Sequence, residues 1–314
     1  MLKFTLLLPM QNKHLEHPED CVISGDLNVL NWFTANGNIS AKIDGAPAIV
    51  WGRNPATNLF FVGTKSVFNK QLIKINHNHG DIDRNHQGQV ADILHLCFDN
   101  LPRTSNIYQG DYIGTGGTDY FNPNTIGYFF QDKVSQEIVI APHTYYIADK
   151  DLRDAEAFPL EFNLESDNNV LFVKPECEIT HTDYRQDIID RCNFARQVAT
   201  LCEFPTNTRQ IARIKKHFNA CIKNDIEIDD ITLEAIAHDN NCDVNVLRLW
   251  KLIYSIKIDL LCYHIEADDS VECYIEEERC DHEGYVFSND YGSYKIVNRE
   301  GFSRANFHLG VQSA

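Results

Sequence analysis

The sequence predicts an α+β fold of antiparallel sheets interrupted by a helical segment. Three observations carry this expectation. Short runs rich in β-branched and aromatic residues recur at 48–51, 59–63, 107–113, 126–130, 136–141, 144–147 and 170–174, and return at 271–275 and 283–297. From 184 to 265 apolar residues recur at helical spacing instead. No apolar run approaches the ~20 residues of a membrane span. The expected organisation is a β-rich first part over 1–175, an inserted helical subdomain over 176–270 and a β-rich second part over 271–314.

Composition narrows the class. Among 314 residues, 43% are hydrophobic, which is ordinary for a soluble globular protein. The apolar stretch Leu6–Met10 is short and a charged stretch follows, so no signal peptide is expected. The ten scattered cysteines then suggest reduced thiols in a cytoplasm. Two Cys-x-His pairs, Cys262/His264 and Cys280/His282, either meet at a zinc ion with unusual spacing or are unrelated. A net charge of −17 argues against indiscriminate nucleic-acid binding. The charge is uneven: 184–224 carries eight basic residues against three acids, and 225–284 four against seventeen. A local basic face suits either a selective polyanion contact or a complementary neighbouring element.

In chain order, His17–Thr34 predicts a helix whose register breaks at Ser24-Gly25. It delivers the chain to a hairpin: Ile39–Lys42 enters, Asp44-Gly45 signals the turn, and Ala48–Trp51 leaves as the paired strand. Held out of bulk water there, Lys42 would be a nucleophile near neutral pH; on an open surface it would only be solvated. Leu59–Gly63 is a strand. After it, Thr64-Lys65-Ser66 can grip phosphate or ribose oxygens, or form an exposed turn. Residues 71–87 read as a polar loop whose His77, His79 and His86 lack metal-ligand spacing. Gln89–Asn100 is an amphipathic helix with Val90, Ile93, Leu94 and Cys97 on one side. Ile107–Ile113 is a strand carrying Gly110-Asp111, and Gly114–Gly117 is a turn without the lysine of a phosphate-binding loop. The following β runs supply Tyr128, Phe129, Tyr145 and Tyr146, any of which is core or a face for a purine.

An acidic connection over 150–169 leads to a strand at Val170–Lys174, which Pro175 ends. Four helices are expected next: one from 184 to Pro205, one marked by Ile211, Ile214, Phe218 and Ile222, one at Ile231–Ala237, and a long one at Val246–Ile265 around Trp250. On the second, Arg209, Arg213 and Lys216 lie four and three residues apart and share one side, with Lys215 off that stripe. The stripe is a candidate nucleic-acid-binding face, or a partner for the acid-rich 266–281 segment.

The order Lys42-Ile43-Asp44-Gly45, Gln109-Gly110-Asp111, Glu283-Gly284-Tyr285-Val286 and Tyr294-Lys295-Ile296-Val297 resembles the ordered motifs of the covalent nucleotidyltransferases. These include ATP-dependent DNA and RNA ligases and messenger-RNA capping enzymes. The blocks at 14–20, 42–51, 60–70 and 121–126 resemble uncharacterised ligase-like proteins of tailed phages. The likeness covers roughly 14–147 and 283–307, and the blocks at 42–51 and 60–70 are its most specific part.

The resemblance implies a nucleotidyltransferase (ligase adenylation) fold and a lysyl–AMP formed at Lys42 from ATP. It implies nucleotide contacts from Ala41, Asp44, Gly45, Lys65, Asp111 and Lys295, a purine stacked on Phe129 or Tyr145, and Mg²⁺ (or Mn²⁺) on Glu283. Lys295 would neutralise the α-phosphate. The family's second lysine falls at Val297, so Lys295 acts alone or Lys65 or Arg299 compensates. The family's arginine after Asp-Gly falls at Pro47. Only residues 296–314 follow Lys295, too few for the C-terminal barrel of DNA ligases. With the basic stripe, this favours an RNA ligase acting on 5′-phosphate ends, in the host cytoplasm if phage-encoded, with no membrane partner. A protein or small-molecule adenylyltransferase and a non-catalytic nucleotide- or nucleic-acid-binding descendant are the alternatives.

Overall fold

A computed structural model of the chain describes residues 15–179, 184–275, 278–280 and 283–299. His14 and His282 of the sequence motifs lie outside them. The fold is α+β and its sheets are built almost wholly from antiparallel pairs.

The chain opens with α1 (Pro18–Cys21), a short 3-10 turn and α2 (Asn28–Thr34). The single helix expected over 17–34 is therefore divided, at Gly25 with φ +79°. Then come β1 (Asn38–Ala41), β2 (Ala48–Arg53) and β3 (Phe60–Gly63). Next are α3 (His79–Asn85), α4 (Gln89–Asn100) and β4 (Ile107–Thr115). α3 corrects the loop expected over 71–87. Ile82 is its sole buried residue, so no apolar period could announce it, but the Asn78 side chain caps it by accepting from the Asp81 amide.

β5 (Tyr120–Phe121), β6 (Ile126–Phe130), β7 (Ile138–Ile147), β8 (Glu156–Pro159), β9 (Val170–Phe172) and β10 (Cys177–Ile179) follow. The two β runs expected at 136–141 and 144–147 are one strand. The helical segment is α5 (Tyr184–Ala199), α6 (Thr208–Lys223), α7 (Asp230–Asn240) and α8 (Val244–Tyr263). Asn207, Asp229 and Asp243 cap the last three by accepting amide hydrogens of the first turn. β11 (Ile265–Ala267), β12 (Val271–Ile275), β13 (Glu278–Cys280), β14 (Tyr285–Asn289) and β15 (Gly292–Ile296) close the described chain.

The largest sheet has the order β3-β2-β4-β7-β8, and β9 pairs in parallel with the first residues of β7, whose last residues pair with β8. Ile49 and Trp51 face one side, packing with Leu94 and Cys97 of α4, while Val50 faces the other with Phe61 and Tyr146. A second sheet has the order β13-β12-β6-β5, and a third the order β1-β14-β15. β10 pairs with β11 at the two ends of the helical segment.

The expected hairpin of 39–51 does not form. β1 pairs with β14, matching Ala41 to Tyr285, and β2 pairs with β3 and β4. Residues 42–47 cross from one sheet to another. Gly45 serves this crossing rather than a hairpin turn, because a Cβ there would run into the Tyr112 carbonyl oxygen. Distant strand partners prevail over the local turn signal.

The helices share their core with the rest of the fold. One cluster joins Val29, Leu30 and Trp32 of α2, Ile214 and Phe218 of α6, Trp250 and Ile253 of α8, and Tyr285, Phe287 and Ile296 of the third sheet. Trp250 stacks on Phe218 at 3.9 Å between ring centres, and its indole donates to Asp20 Oδ1 at 2.9 Å. Beside it lies a buried charge cluster. Lys257 Nζ meets Glu19 Oε1 at 2.6 Å, and Arg299 Nη1 lies 3.0 Å from both Glu19 Oε1 and Asp20 Oδ1. Two acids and two bases balance there. Burial, then Lys257 and Arg299, push the His17 imidazole down to about 2, so it stays neutral beside them.

Removing one member should strand a buried charge. Lys257→Met is expected to destabilise the protein by about 3–5 kcal/mol in urea unfolding. Adding Glu19→Gln should recover part of that loss. A double variant as unstable as the sum of its singles would show that the two charges are not coupled.

Candidate active site

β1 and β14 deliver the two ends of the site. Where β1 ends, the Lys42 amide donates to the Gly284 carbonyl at 2.8 Å, which seats Lys42 beside Glu283. Lys42 Nζ is in contact with Glu283 Oε2 and lies 3.3 Å from Asp44 Oδ1. Asp44 is held through its backbone: its amide donates to the Tyr128 hydroxyl at 2.8 Å, and that hydroxyl donates to the Asp44 carbonyl at 3.0 Å. Asn124 donates to the Asp44 carboxylate.

Lys42, Asp44 and Glu283 line a cleft of about 450 Å³ between the β1-β14-β15 sheet and the largest sheet. Ala41, Lys42, Asp44, Gly45, Lys65, Asp111, Glu283 and Lys295 all line it, so residues from four separate sequence motifs and from the Thr64-Lys65-Ser66 turn meet in one place. Lys295 stands on β15, its amide donating to the Glu16 carbonyl at 3.1 Å. Burial, then the nearby Lys42 ammonium, lower the Lys295 pKa below its ordinary value. Lys65 is exposed at the cleft, on a 3-10 turn. The flanking hydroxyls of Thr64 and Ser66 bond each other at 2.8 Å, and Thr64 Oγ1 caps that turn by accepting from the Ser66 amide at 3.3 Å.

Phe129 and Tyr145, the two expected purine faces, are absent from the cleft wall, and strand alternation is the reason. On β6 it is Tyr128 that reaches Asp44; Phe129 turns outward against Tyr120 and Tyr274, with ring centres at 4.4 and 5.2 Å. On β7 it is Tyr146 that lines the cleft, while Tyr145 packs against Phe158 at 5.3 Å on the opposite face. Both expected residues have the wrong parity.

Arg209, Arg213 and Lys216 are exposed on α6, outside the cleft. None of the three pairs with a described acid, including those of 266–281. Lys215 instead meets Glu16 Oε2 at 3.0 Å.

The chain belongs to the family of unknown function DUF6267. The family model matches residues 12–237 and 226–310. No curated protein and no solved structure matches the chain. Among the described residues no helix is long and apolar enough to cross a membrane.

The cleft also holds a polar rail of which the sequence motifs contain Gln109 and Asp111 but not Tyr146, His143 or Thr144. Tyr146 donates to Gln109 Oε1 at 2.6 Å, Gln109 Nε2 lies 3.3 Å from His143 Nε2, and His143 Nδ1 lies 2.7 Å from Thr144 Oγ1. His143 Nε2 is also 3.7 Å from Asp111 Oδ1. Strand alternation carries a signal for it, since Gln109 shares its strand face with Asp111, and Thr144 with Tyr146.

Tyr128→Phe tests the strut under Asp44. It leaves an amide and a carbonyl of Asp44 without their partner. A loss of about 1–3 kcal/mol is expected in thermal or urea unfolding. Unchanged stability would show that water replaces the hydroxyl at no cost.

Proposed function

We propose that this protein is an ATP-dependent nucleotidyltransferase that forms a covalent lysyl–AMP at Lys42 and joins RNA ends. The observation that carries the reading is the meeting of Lys42, Asp44, Glu283 and Lys295 in one cleft, with Lys65 and Asp111 on its wall. A cleft of about 450 Å³ is of the size that holds a nucleotide-sized ligand.

In the proposed step Lys42 Nζ forms a bond to the α-phosphorus of ATP. The bond from that phosphorus to the bridging oxygen breaks, and pyrophosphate leaves with the electron pair. The ammonium proton must go first, and Asp44, 3.3 Å from Nζ, is a carboxylate within reach to accept it. Lys295 and Lys65 supply fixed positive charge where negative charge builds on the phosphates. The backbone-held Asp44 keeps Lys42 aimed into the cleft. Glu283 offers oxygen ligands, which suit a hard Mg²⁺ (or Mn²⁺) that keeps most of its waters. When bound there, such an ion supplies further neutralisation of the phosphates.

Purified protein incubated with α-labelled ATP and Mg²⁺ is expected to retain covalent label that survives denaturation. Lys42→Ala should carry none, and Lys295→Ala should label at least tenfold more slowly, about 1.4 kcal/mol in barrier. Equal labelling of Lys42→Ala would overturn the reading. A 5′-phosphorylated oligoribonucleotide then identifies the acceptor. A circular product supports RNA ligation, label passing to protein supports a protein adenylyltransferase, and saturable ATP binding without transfer supports a non-catalytic module.

The exposed stripe Arg209, Arg213 and Lys216 is the proposed RNA contact. Replacing all three by Gln should leave lysyl–AMP formation intact and weaken RNA binding. The slope of log affinity against log salt should become shallower by about 0.7 for each phosphate no longer neutralised. Unchanged RNA affinity with a lower melting temperature would instead assign the stripe to folding.

A further inference from the structure

The second sheet carries three side chains in one row. The register sets Cys273 of β12 directly opposite Cys280 of β13 on one side and Tyr128 of β6 on the other. Residues directly opposite on antiparallel strands point to the same face of the sheet. Cys280, Cys273 and Tyr128 therefore form a ladder across three strands. All three pack in the apolar cluster that includes Ile43. The last rung ends in the hydroxyl that holds the Asp44 backbone.

Both cysteines of the ladder carry thiols. Directly opposite residues of an antiparallel pair have Cα atoms about 4.5–5.5 Å apart. Disulfides bridge Cα separations of about 4.4–6.8 Å, so this pair is within bonding range in its own register. Access is graded along the ladder. Cys273 is 2% exposed, whereas Cys280 is half-buried on an edge strand of the sheet. A dissolved oxidant thus meets Cys280 first, and Cys273 is placed behind it to resolve the product.

We propose that Cys273 and Cys280 are a redox-active pair that closes to a cross-strand disulfide, with a small-molecule disulfide such as oxidised glutathione as the oxidant. The Cys280 thiolate attacks one glutathione sulfur. The glutathione S–S bond breaks, and one glutathione leaves as thiolate. The Cys273 thiolate then attacks the Cys280 sulfur of the mixed disulfide and expels the second glutathione. Two protein thiols become one disulfide and one oxidised glutathione becomes two thiols, so two electrons and two protons pass to glutathione. The link staples the edge strand β13 to β12, next to the rung that supports Asp44. Cys262 of α8 lines the same cavity, but it is exposed and is the strand partner of neither. Among the described residues no three candidate metal ligands stand together, so this cavity carries thiol chemistry rather than a metal centre.

The test is equilibration of the reduced full chain in glutathione buffers of rising oxidised share, then alkylation of remaining thiols and trypsin digestion without reductant. Cleavage after Lys257, Arg279 and Lys295 puts Cys273 in peptide 258–279 and Cys280 in peptide 280–295. Wild type is expected to yield these two peptides linked, two hydrogens lighter than their sum and separable by dithiothreitol. Peptide 258–279 also holds Cys262, so the linked species should persist in Cys262→Ser and vanish in Cys273→Ser. Because a cross-link restricts the unfolded chain, oxidised wild type should also melt higher than reduced wild type. Cys280→Ser, altered at the half-buried position, should show no such difference. Absence of the linked peptides from wild type in the most oxidising buffer would overturn the proposal. So would their loss in Cys262→Ser with retention in Cys273→Ser. Oxidised wild type that melts no higher than reduced would overturn the stapling role.

Discussion

The site depends on the pairing of β1 with β14. Lys42 and Glu283 are 241 residues apart in the chain and reach each other only because these strands lie side by side. Closing a loop of that length costs about 5 kcal/mol in chain entropy. Trp32 supplies much of the compensation. Its indole donates to the Phe287 carbonyl at 3.1 Å, its own carbonyl accepts from Asn289 at 2.9 Å, and its rings sit edge-on to Phe287 and Tyr294. Trp32, Phe287, Tyr285 and Ile296 are all buried, each contributing on the order of 1.5–3 kcal/mol. Apolar packing from α2 thus holds β14, which begins just after Glu283, and β15, which carries Lys295.

The helical segment is bound into the same construction. Lys257 of α8 and Arg299, just past β15, share Glu19 of α1, and Arg299 also donates to Asn219 of α6. A helix that moved would take a buried charge from its partner, which is far more costly than losing a surface pair. Lys295 lies four residues before Arg299 on the strand side of this cluster. Its position is therefore coupled to α1, α6 and α8 as well as to its own sheet. The Glu19-Asp20 pair of the opening motif belongs to this cluster rather than to the cleft.

Much of the site is legible residue by residue. A lysine, two acids and a second lysine in ordered motifs point to Lys42, Asp44, Glu283 and Lys295, and the cleft assembles them. The boundaries of α4 are legible because its apolar period is complete, and the apolar spacing of Ile211, Ile214, Phe218 and Ile222 announces α6. What fails does so for definite reasons. Phe129 and Tyr145 qualify as purine faces by being aromatic, whereas a strand presents alternate residues, and the neighbours Tyr128 and Tyr146 face inward. The Asp44-Gly45 turn signal is real as a preference but is outweighed by strand partners at least 57 residues away for β2 on β4 and at least 244 for β1 on β14. The polar α3 has one buried residue and so no pattern to read.

By itself the sequence determined the α+β class, the division between β-rich and helical stretches, and which side chains could carry charge. These follow from local spacing and side-chain chemistry, which a single chain displays in full. Only the tertiary structure decided that β1 leaves its neighbour β2 to pair with β14, and that Gln109 and His143 join Asp111 along the cleft. Each of those outcomes depends on which distant surfaces bury together. That is settled by the packing of the whole core around Trp32, Trp250 and the strands they cover, and no local window of sequence contains it.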